Sequence, residues 1–329
     1  MLIKTSAPTR IDLAGGTLDI WPLYLFHPGA QTVNAAISLR ARATVETRHD
    51  SRIVIRSEDT GVTVEANDWT ELRGRRELRL LSLLAHFFEA RGLTLTTSCD
   101  SPAGAGIAGS SALNVAVCAA LAEWNRSHYE PEALLQIAMN IEAQAINVPT
   151  GLQDYRPALS GGIAALELDV DGVRRIALHV DPVELERRLV LCYTGEPRNS
   201  GTNNWEIFKR HIDGDRHVFD CFERIRDTAA SMRHALSRAD WDGVSQSMAD
   251  DWEHRKQLAP GVSTPMIDGL IERARDAGAT AAKICGAGGG GCLVCFAPPD
   301  RRSAVQSALQ SDGARLLEFT IERSGVTRG

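Results

Sequence analysis

The sequence predicts an α+β protein built from two domains. The chain has 329 residues, and at ~100–200 residues per domain this length favours two domains over one. Strand patterns dominate the first third of the chain, whereas the last part alternates helical patterns with two short apolar strands. Helices beside a small antiparallel sheet are typical of an α+β domain. We place the boundary between residues 184 and 185, within a window of 180–188.

The composition excludes several classes of protein. A charged fraction of 24%, an apolar fraction of 43% and a net charge of -6 describe an ordinary globular protein that is neither disordered nor fibrous. Mild acidity gives no general attraction for nucleic-acid backbones. The N-terminus lacks a signal-peptide pattern and no run of 18 uncharged apolar residues occurs. We therefore expect a cytoplasmic protein without nucleic-acid or membrane partners, either monomeric or homodimeric.

Alternation predicts strands in the N-terminal part. Every odd position from Val33 to Val45 is apolar, which is the two-residue period of a half-buried strand. The segments IVIR at 53–56 and VTVE at 62–65 enclose Asp59 and Gly61 and predict a hairpin. The sequence thus predicts an antiparallel sheet at the start of the chain.

Helical spacing begins after this sheet. Apolar residues three and four apart predict a helix that starts near Ser110 and a second over 131–146. A hairpin around Asp171 and Gly172 follows. The rest of the predicted order is a buried strand at 189–195, helices over 203–277, the strands AAKIC and CLVCF, a helix from about Asp300 and a last strand LLEFTI.

The glycine-rich segment PAGAGIAGSSA at 102–112 is the strongest chemical signal. Gly104, Gly106 and Gly109 permit positive φ and a close approach of backbone to ligand, and the first-turn N–H groups of the following helix bind anions. The segment lacks the Gly-Lys-Ser/Thr of a P-loop and the βαβ context of a dinucleotide site. It indicates a phosphate cradle; a tight turn with a serine N-cap is the alternative.

Two carboxylates follow the phosphate cradle. The positions that share a helix face with Glu142 are apolar: Leu135, Ala138, Ala145 and Ile146. A carboxylate on that face needs a partner, which is either an arginine or a cation such as Mg²⁺ held together with phosphate oxygens. Asp154 lies in the next loop, TGLQDYR, where it is either a turn residue or a general base beside a substrate hydroxyl.

Two further glycine loops complete the set. Five of the six residues from Gly286 to Gly291 are glycine, which predicts either a flexible loop or a backbone pressed against a ligand. The opening segment APTRIDLAGGTLD places Arg10, Gly16 and Asp19 in and after a strand. Its polar groups are either surface charges or sugar ligands, because carboxylates accept paired hydrogen bonds.

Taken in this order, the segments resemble the GHMP kinase family. APTRIDLAGG resembles its first motif, PAGAGIAGSSA its ATP-phosphate motif and KICGAGGGGCLVCF its third. Within the family, LAGGTLDIWP, GLQDY and YTGEPRNS are most similar to the sugar kinases near galactokinase, and closer still to bacterial heptose-phosphate kinases. The chain reads Gly-Gly-Thr-Leu-Asp at 15–19 where those kinases usually read Gly-Gly-Gly-Thr-Asp.

The resemblance implies both a fold and a reaction. The fold has an N-terminal ribosomal-protein-like domain and a C-terminal ferredoxin-like domain. The reaction is ATP- and Mg²⁺-dependent transfer of the γ-phosphoryl group to a hydroxyl of a sugar or sugar phosphate. The resemblance implies that Asp154 is the catalytic aspartate and that Arg10 is a basic residue near the transferred phosphoryl group. It also implies that Ser111 and Glu142 are Mg²⁺ ligands. The ATP-binding residues are Pro102, Gly104, Gly106, Gly109, Ser110, Ser111 and Ala112, and the acceptor-binding residues are Gly16, Asp19, Asp154, Gly288 and Gly289.

Two other functions stay open at the level of sequence. A mevalonate- or phosphomevalonate-type kinase of the same family would need basic residues at the acceptor site in place of Asp19. A catalytically inactive ligand sensor of the same fold would not need Asp154, Glu142 and Ser111 together.

Overall fold

We describe the protein from a computed structural model that covers the backbone of residues 1–197 and 200–329 and the side chains of 1–197 and 204–329. Arg198 and Asn199, within the predicted motif YTGEPRNS, lie outside the described residues. The strands are β1 (Leu2–Ala14), β2 (Gln31–Thr47), β3 (Ile53–Ser57), β4 (Thr63–Ala66), β5 (Leu93–Cys99), β6 (Ile163–Asp169), β7 (Gly172–Ala177), β8 (Leu189–Tyr193), β9 (Ala281–Ile284), β10 (Cys292–Phe296), β11 (Arg315–Leu316) and β12 (Thr327–Arg328).

Ten α-helices lie between Arg79 and Ser311 in the part of the chain that the structure describes. They are α1 (Arg79–Phe87), α2 (Gly109–Trp124), α3 (Pro131–Ile146), α4 (Tyr155–Ser160), α5 (Pro182–Glu186), α6 (Ser200–Ile212), α7 (Arg216–Ser237), α8 (Trp241–Arg255), α9 (Pro265–Asp276) and α10 (Arg302–Ser311). The predicted α+β class is confirmed, and so are the helix over 131–146 and the helix entered directly from the glycine-rich segment.

The first sheet contains eight strands within the described residues. Its main path runs β12-β1-β2-β5-β3-β4, while β6 and β7 attach to the other end of β2. Both predicted hairpins, β3 with β4 and β6 with β7, are confirmed. The expectation of a wholly antiparallel sheet is wrong, because β3 pairs with β5 in parallel. The connection through α1 returns the chain to run alongside β3, as a parallel pair requires.

The alternating residues of β2 serve two cores. Ala41, Ala43 and Val45 lie in the core under helices α1 to α3, whereas Val33 and Ile37 lie in the core shared with the second sheet. The change occurs across the register shift of β1 against β2. The long strand is therefore covered by helices at one end and by the second half of the chain at the other.

The second sheet has the order β11-β8-β10-β9 and is antiparallel. Helix α8 contacts both β9 of this sheet and β1 of the first. This position brings side chains of α8 against the segment that carries Arg10, so the two halves of the chain meet at the glycine loops.

The end of the chain departs from its predicted strand. Only Arg315 and Leu316 pair with β8, while Ile321 bridges Ile37 and β12 pairs with β1 of the first sheet. The apolar pattern of LLEFTI buries Phe319 and Ile321 between the sheets. The chain therefore crosses back to the first sheet, and the boundary at 184/185 stays a prediction. Within the described residues, no helix combines the length and apolar character needed to cross a membrane.

Candidate active site

The segment 102–109 forms a loop that ends directly on α2. Gly104 and Gly106 have φ of 68° and 78°, a left-handed conformation that favours glycine. The N-cap is Ala108, and no side chain caps the helix. The alternative of a serine N-cap is therefore wrong, and the first-turn N–H groups of α2 stay available for an anion.

A cavity of about 470 Å³ lies beside this loop. Its walls include all residues of the segment 102–109, which we call the phosphate loop, except Ile107. Ser110, Ser111, Glu142 and Asp154 also line it. A volume of this size is that of a small-molecule site, roughly 300–1,000 Å³. The fold thus brings the predicted phosphate cradle and both predicted carboxylates to one cavity.

Glu142 is buried on the floor of this cavity, with 5% of its surface exposed. Its carboxylate accepts hydrogen bonds from Ser110 Oγ at 2.7 Å, Tyr155 OH at 2.6 Å and Asn114 Nδ2 at 3.4 Å. Among the described residues it forms no ion pair with arginine. Burial raises the pKa of Glu142, although the bonds from Tyr155 and Ser110 act in the opposite direction. The serine that donates to Glu142 is thus Ser110, whereas Ser111, predicted as a Mg²⁺ ligand together with Glu142, lines the same cavity.

Arg10 joins the phosphate loop to Asp154. Its Nη1 donates to Gly106 O at 2.9 Å, its Nε donates to Asp154 Oδ1 at 3.1 Å, and its Nη2 also contacts this oxygen. Burial alone would lower the pKa of the Arg10 guanidinium, but the carboxylates of Asp154 and Asp12 outweigh it and raise the pKa. A fixed positive charge therefore lies between the phosphate loop and the predicted catalytic aspartate.

A second carboxylate, Asp12, holds Arg10 from behind. Asp12 is fully buried and lies 3.3 Å from Arg10, 2.9 Å from Arg255 and 3.2 Å from Lys283. It also accepts the N–H of Gly286 at 3.1 Å. Burial would raise the pKa of Asp12, but the positive charges of Lys283, Arg10 and Arg255 lower it well below its usual range.

Asp251 of α8 completes this buried group, which we call the Asp12 cluster: Arg10, Asp12, Asp251, Arg255 and Lys283. Lys283 Nζ contacts Asp251 Oδ2, and Asp251 Oδ1 accepts the N–H of Gly15 at 2.8 Å. A Cβ at Gly16 would lie 2.5 Å from Arg255 Nη1. The cluster thus explains why residue 16 is glycine, and it joins both halves of the chain.

Asp19 lines a cavity together with Asp154 and is not part of the larger cavity beside the phosphate loop. It is 1% exposed, and its Oδ2 accepts the backbone N–H of Gln153 at 2.7 Å. A Cβ at Gly151 would lie 2.0 Å from Asp19 Oδ2, so only glycine fits there. Burial, and after it the negative charge of Asp154, raises the pKa of Asp19 to about 7.

Asp19 and Asp154 face a second, smaller cavity of about 30 Å³, which we call the Asp19 cavity. Its other walls include Arg10, Thr17, Gln153 and Gly286. Three residues line both this cavity and the larger one: Gly151, Asp154 and Asn204. The two cavities are therefore neighbours, and Asp154 stands at their border.

The loop Gly286–Gly291 closes against the phosphate loop. Gly286 and Gly291 have φ of 73° and 90°, and Cys292 N donates to Ala105 O at 2.7 Å. Gly288 and Gly289, predicted to bind the acceptor, are not among the residues that line the two cavities. They lie against Val262, whose carbonyl accepts the N–H of Gly289 at 2.9 Å.

Two family models match the chain, one in its first half and one in its second half. The model for the GHMP kinases N terminal domain matches residues 77–162, which contain the phosphate loop, Glu142 and Asp154. The model for the GHMP kinases C terminal matches residues 232–315, which contain α8 and the last glycine loop. The chain belongs to the GHMP kinase family. The resemblance drawn from the three motifs is confirmed, and with it the class of enzyme, a kinase that uses ATP.

Named relatives cover nearly the whole of this GHMP kinase. A D-glycero-alpha-D-manno-heptose 7-phosphate kinase from Campylobacter jejuni is 29% identical over 98% of this chain and 98% of its own. A mevalonate kinase from Thermococcus sibiricus is 25% identical over 99% and 98%. The solved structure of a D-glycero-D-manno-heptose 1-phosphate kinase from Bacteroides thetaiotaomicron has a TM-score of 0.80 at 24% identity, over 99% and 98%, and this likeness shows the fold.

Sequence reasoning missed several residues of this GHMP kinase site. Gln153 is one of them, although its position beside Asp154 in GLQDY is a usable signal. Asn204, Asp251, Arg255 and Lys283 reach the site from the second half of the chain. These four residues reach the site only because α6, α8 and β9 pack near the first half of the chain. No local sequence pattern encodes that packing.

Proposed function

We propose that this protein transfers the γ-phosphoryl group of ATP to a hydroxyl of a sugar phosphate related to the heptose 7-phosphate named for its relative. The observation that carries the proposal is the pair of adjoining cavities with Asp154 at their border and Arg10 bonded to Asp154. The larger cavity has the glycine loop that phosphates require, and the smaller one presents buried carboxylates to an acceptor.

The donor side fits ATP. Its phosphates would lie on the loop from Pro102 to Ala112, at the uncapped N-terminus of α2. The larger cavity supports this because Gly104, Gly106, Gly109, Ser110 and Ser111 all line it.

The residues around Glu142 also fit Mg²⁺. Glu142 is a buried carboxylate without a described cationic partner, and serine hydroxyls lie beside it. In the described residues no group of three or more His, Cys, Asp or Glu could enclose a metal, so Glu142 with Ser110 or Ser111 would hold the ion together with phosphate oxygens. When bound, Mg²⁺ neutralises charge on the phosphates.

The acceptor hydroxyl would meet Asp154, which orients it or removes its proton. Arg10 stabilises negative charge that develops on the transferred group, because its guanidinium is held between Asp154 and Gly106 O. Asp12 fixes the far side of the guanidinium.

The mevalonate-type function is the weaker candidate despite the 25% identical relative. An acidic acceptor would place its carboxylate near Asp19 and Asp154, and like charges repel each other in a buried site. The sensor function is weaker still, because the residues suited to donor, cation and acceptor meet at two adjoining cavities.

The test is an ADP-release assay on the purified protein. ATP is offered with D-glycero-D-manno-heptose 7-phosphate, the free heptose, galactose or mevalonate, each with Mg²⁺ and with EDTA. We expect Mg²⁺-dependent release with a sugar or sugar phosphate and none with mevalonate. Release with mevalonate alone would establish the acid-kinase function, and binding without release for every acceptor would favour the sensor.

A further inference from the structure

Three buried oxygens of residues that line the Asp19 cavity have no hydrogen-bond partner among the described residues. They are Asp19 Oδ1, Gln153 Oε1 and Asn204 Oδ1. Asp19 is 1% exposed and Gln153 is 6% exposed. Buried polar atoms almost always have a partner, and one left without costs free energy. Three in one cavity indicate that the partner is a ligand.

The three oxygens come from separate elements. Asp19 follows the loop after β1, Gln153 precedes α4, and Asn204 belongs to α6. Asp19 is held by the N–H of Gln153 at 2.7 Å, so its free oxygen has a fixed direction. The cavity is therefore assembled from both halves of the chain and is preorganised around groups that accept hydrogen bonds.

The oxygens of the cavity favour a ligand group that donates hydrogen bonds. Arg10, the cation at its wall, already donates from each of its nitrogens to Asp154, Asp12 or Gly106 O, so it has no unused nitrogen to bind an anionic group inside the cavity. A volume of about 30 Å³ admits groups the size of water or hydroxyl. Because a hydroxyl group donates a single hydrogen, three acceptors need more than one hydroxyl group.

We propose that Gln153 and Asn204 are specificity-determining residues that, with Asp19, bind neighbouring hydroxyl groups of a polyol acceptor. The proposal rests on the proposed kinase function and deepens it. The cavity takes an uncharged, hydroxyl-bearing part of the acceptor, and any phosphate that the acceptor carries lies outside the cavity. Carboxylate and phosphate groups are rejected there because the carboxylates of Asp19 and Asp154 repel them.

The test compares Gln153→Met and Asn204→Leu with wild type. The acceptor is D-glycero-D-manno-heptose 7-phosphate, and its 2-, 3- and 4-deoxy analogues are assayed beside it. Gln144→Met is the matched control, because Gln144 is exposed on α3. We expect each cavity variant to lower acceptor kcat/KM by about 10-fold, and Gln153→Met and the control to leave the KM for ATP within about twofold of wild type.

The analogues make the test independent of folding. Wild type should lose about 10-fold or more in kcat/KM on at least one deoxy analogue, because a site built to bind a hydroxyl rejects the analogue that lacks it. Gln153→Met or Asn204→Leu should lose much less on that same analogue, because the oxygen that bound the hydroxyl is gone. Equal losses in wild type and both variants at every position would overturn the proposal while leaving the kinase function intact. No turnover of any sugar by wild type would overturn both.

Discussion

Two groups of buried polar residues border each other in this protein, and they differ in whether the chain supplies their partners. In the Asp12 cluster each charged side chain has an opposite charge within 3.3 Å. In the Asp19 cavity three oxygens have no described partner. Every charge of the first group is paired with an opposite charge of the chain, although Arg255 Nε has no described hydrogen-bond partner, whereas the second group leaves three acceptors for a ligand.

The two aspartates show what this difference does. Both Asp12 and Asp19 are buried, seven positions apart on one segment. Burial acts on both in the same direction, yet the pKa of Asp12 falls below its usual range while that of Asp19 rises to about 7. Burial of a carboxylate therefore does not by itself set its pKa, because the outcome depends on whether the chain places opposite charges beside it.

The largest effect should come from Asp154, which stands on the border between the cavities. Asp154→Asn should lower kcat by ~10²–10⁴ and leave the fold intact, because a positioned acid-base group contributes that much. Steady-state kinetics and a thermal melt measure both. Turnover within threefold of wild type would remove Asp154 from the mechanism.

The Asp12 cluster should respond through stability. Asp12→Asn should lower the free energy of unfolding by ~3–5 kcal/mol, because it leaves buried positive charges uncompensated. Urea denaturation measures this. Asp100→Asn is the control: its pair with Arg42 is partly exposed and should contribute at most ~1 kcal/mol. Equal effects of the two substitutions would contradict the assignment of the cluster as structural.

A substitution of Glu142 tests whether a carboxylate that already accepts hydrogen bonds from the protein also binds Mg²⁺. Glu142→Gln should raise the Mg²⁺ concentration for half-maximal rate by roughly tenfold, because a charged ligand is replaced by a neutral one. The melting temperature should change little, because Tyr155 and Asn114 can donate to an amide oxygen in the place of Oε2, and the amide N–H can donate to Ser110 Oγ in the place of Oε1. A large loss of stability with unchanged Mg²⁺ dependence would assign Glu142 a structural role.

The two serines should give the smallest effect and sharpen the assignment of the cation site. Ser110→Ala removes the hydroxyl beside Glu142, and we expect it to raise the Mg²⁺ requirement by a few-fold, the loss of one neutral ligand or hydrogen bond. Ser111→Ala is the comparison. A larger effect from Ser111 would restore the pairing that the sequence resemblance implies.

Much of the fold was predictable because its signals are local. The alternation in β2, the apolar spacing of α3 and the turn at Asp171–Gly172 each depend on a few neighbouring residues. The phosphate loop was predictable for the same reason, since glycine spacing and the helix that follows lie in one segment.

The rest depends on long-range packing. The parallel pairing of β3 with β5 and the return of the chain end to β1 join distant segments. The same holds in the site: Lys283 and Arg255 reach Asp12 across more than 240 residues of sequence. Arg10 lies two residues from Asp12 on β1, but nothing near Asp12 in the chain predicts that Arg255 and Lys283 also pair with it. Nothing near Asp19 predicts that one of its oxygens has no partner.

The most direct test of the contrast is Asp19→Asn, with its stability and its acceptor kinetics measured together. Because the folded pKa of Asp19 is about 7 and its usual value is 3.8, the ionised carboxylate destabilises the ligand-free fold above pH 7. This destabilisation is lost as the pH falls from 7 towards 4, because the free energy of unfolding then rises by roughly 1.4 kcal/mol per pH unit.

We predict that Asp19→Asn unfolds at higher urea than wild type at pH 8 and that the gap shrinks by more than half at pH 5. Its acceptor kcat/KM should fall by ~10–100-fold, because a charged hydrogen bond is lost, while the KM for ATP stays within twofold. An Asp19→Asn protein that is less stable than wild type at pH 8, with unchanged acceptor kcat/KM, would contradict the account: Asp19 would then be structural in the same sense as Asp12.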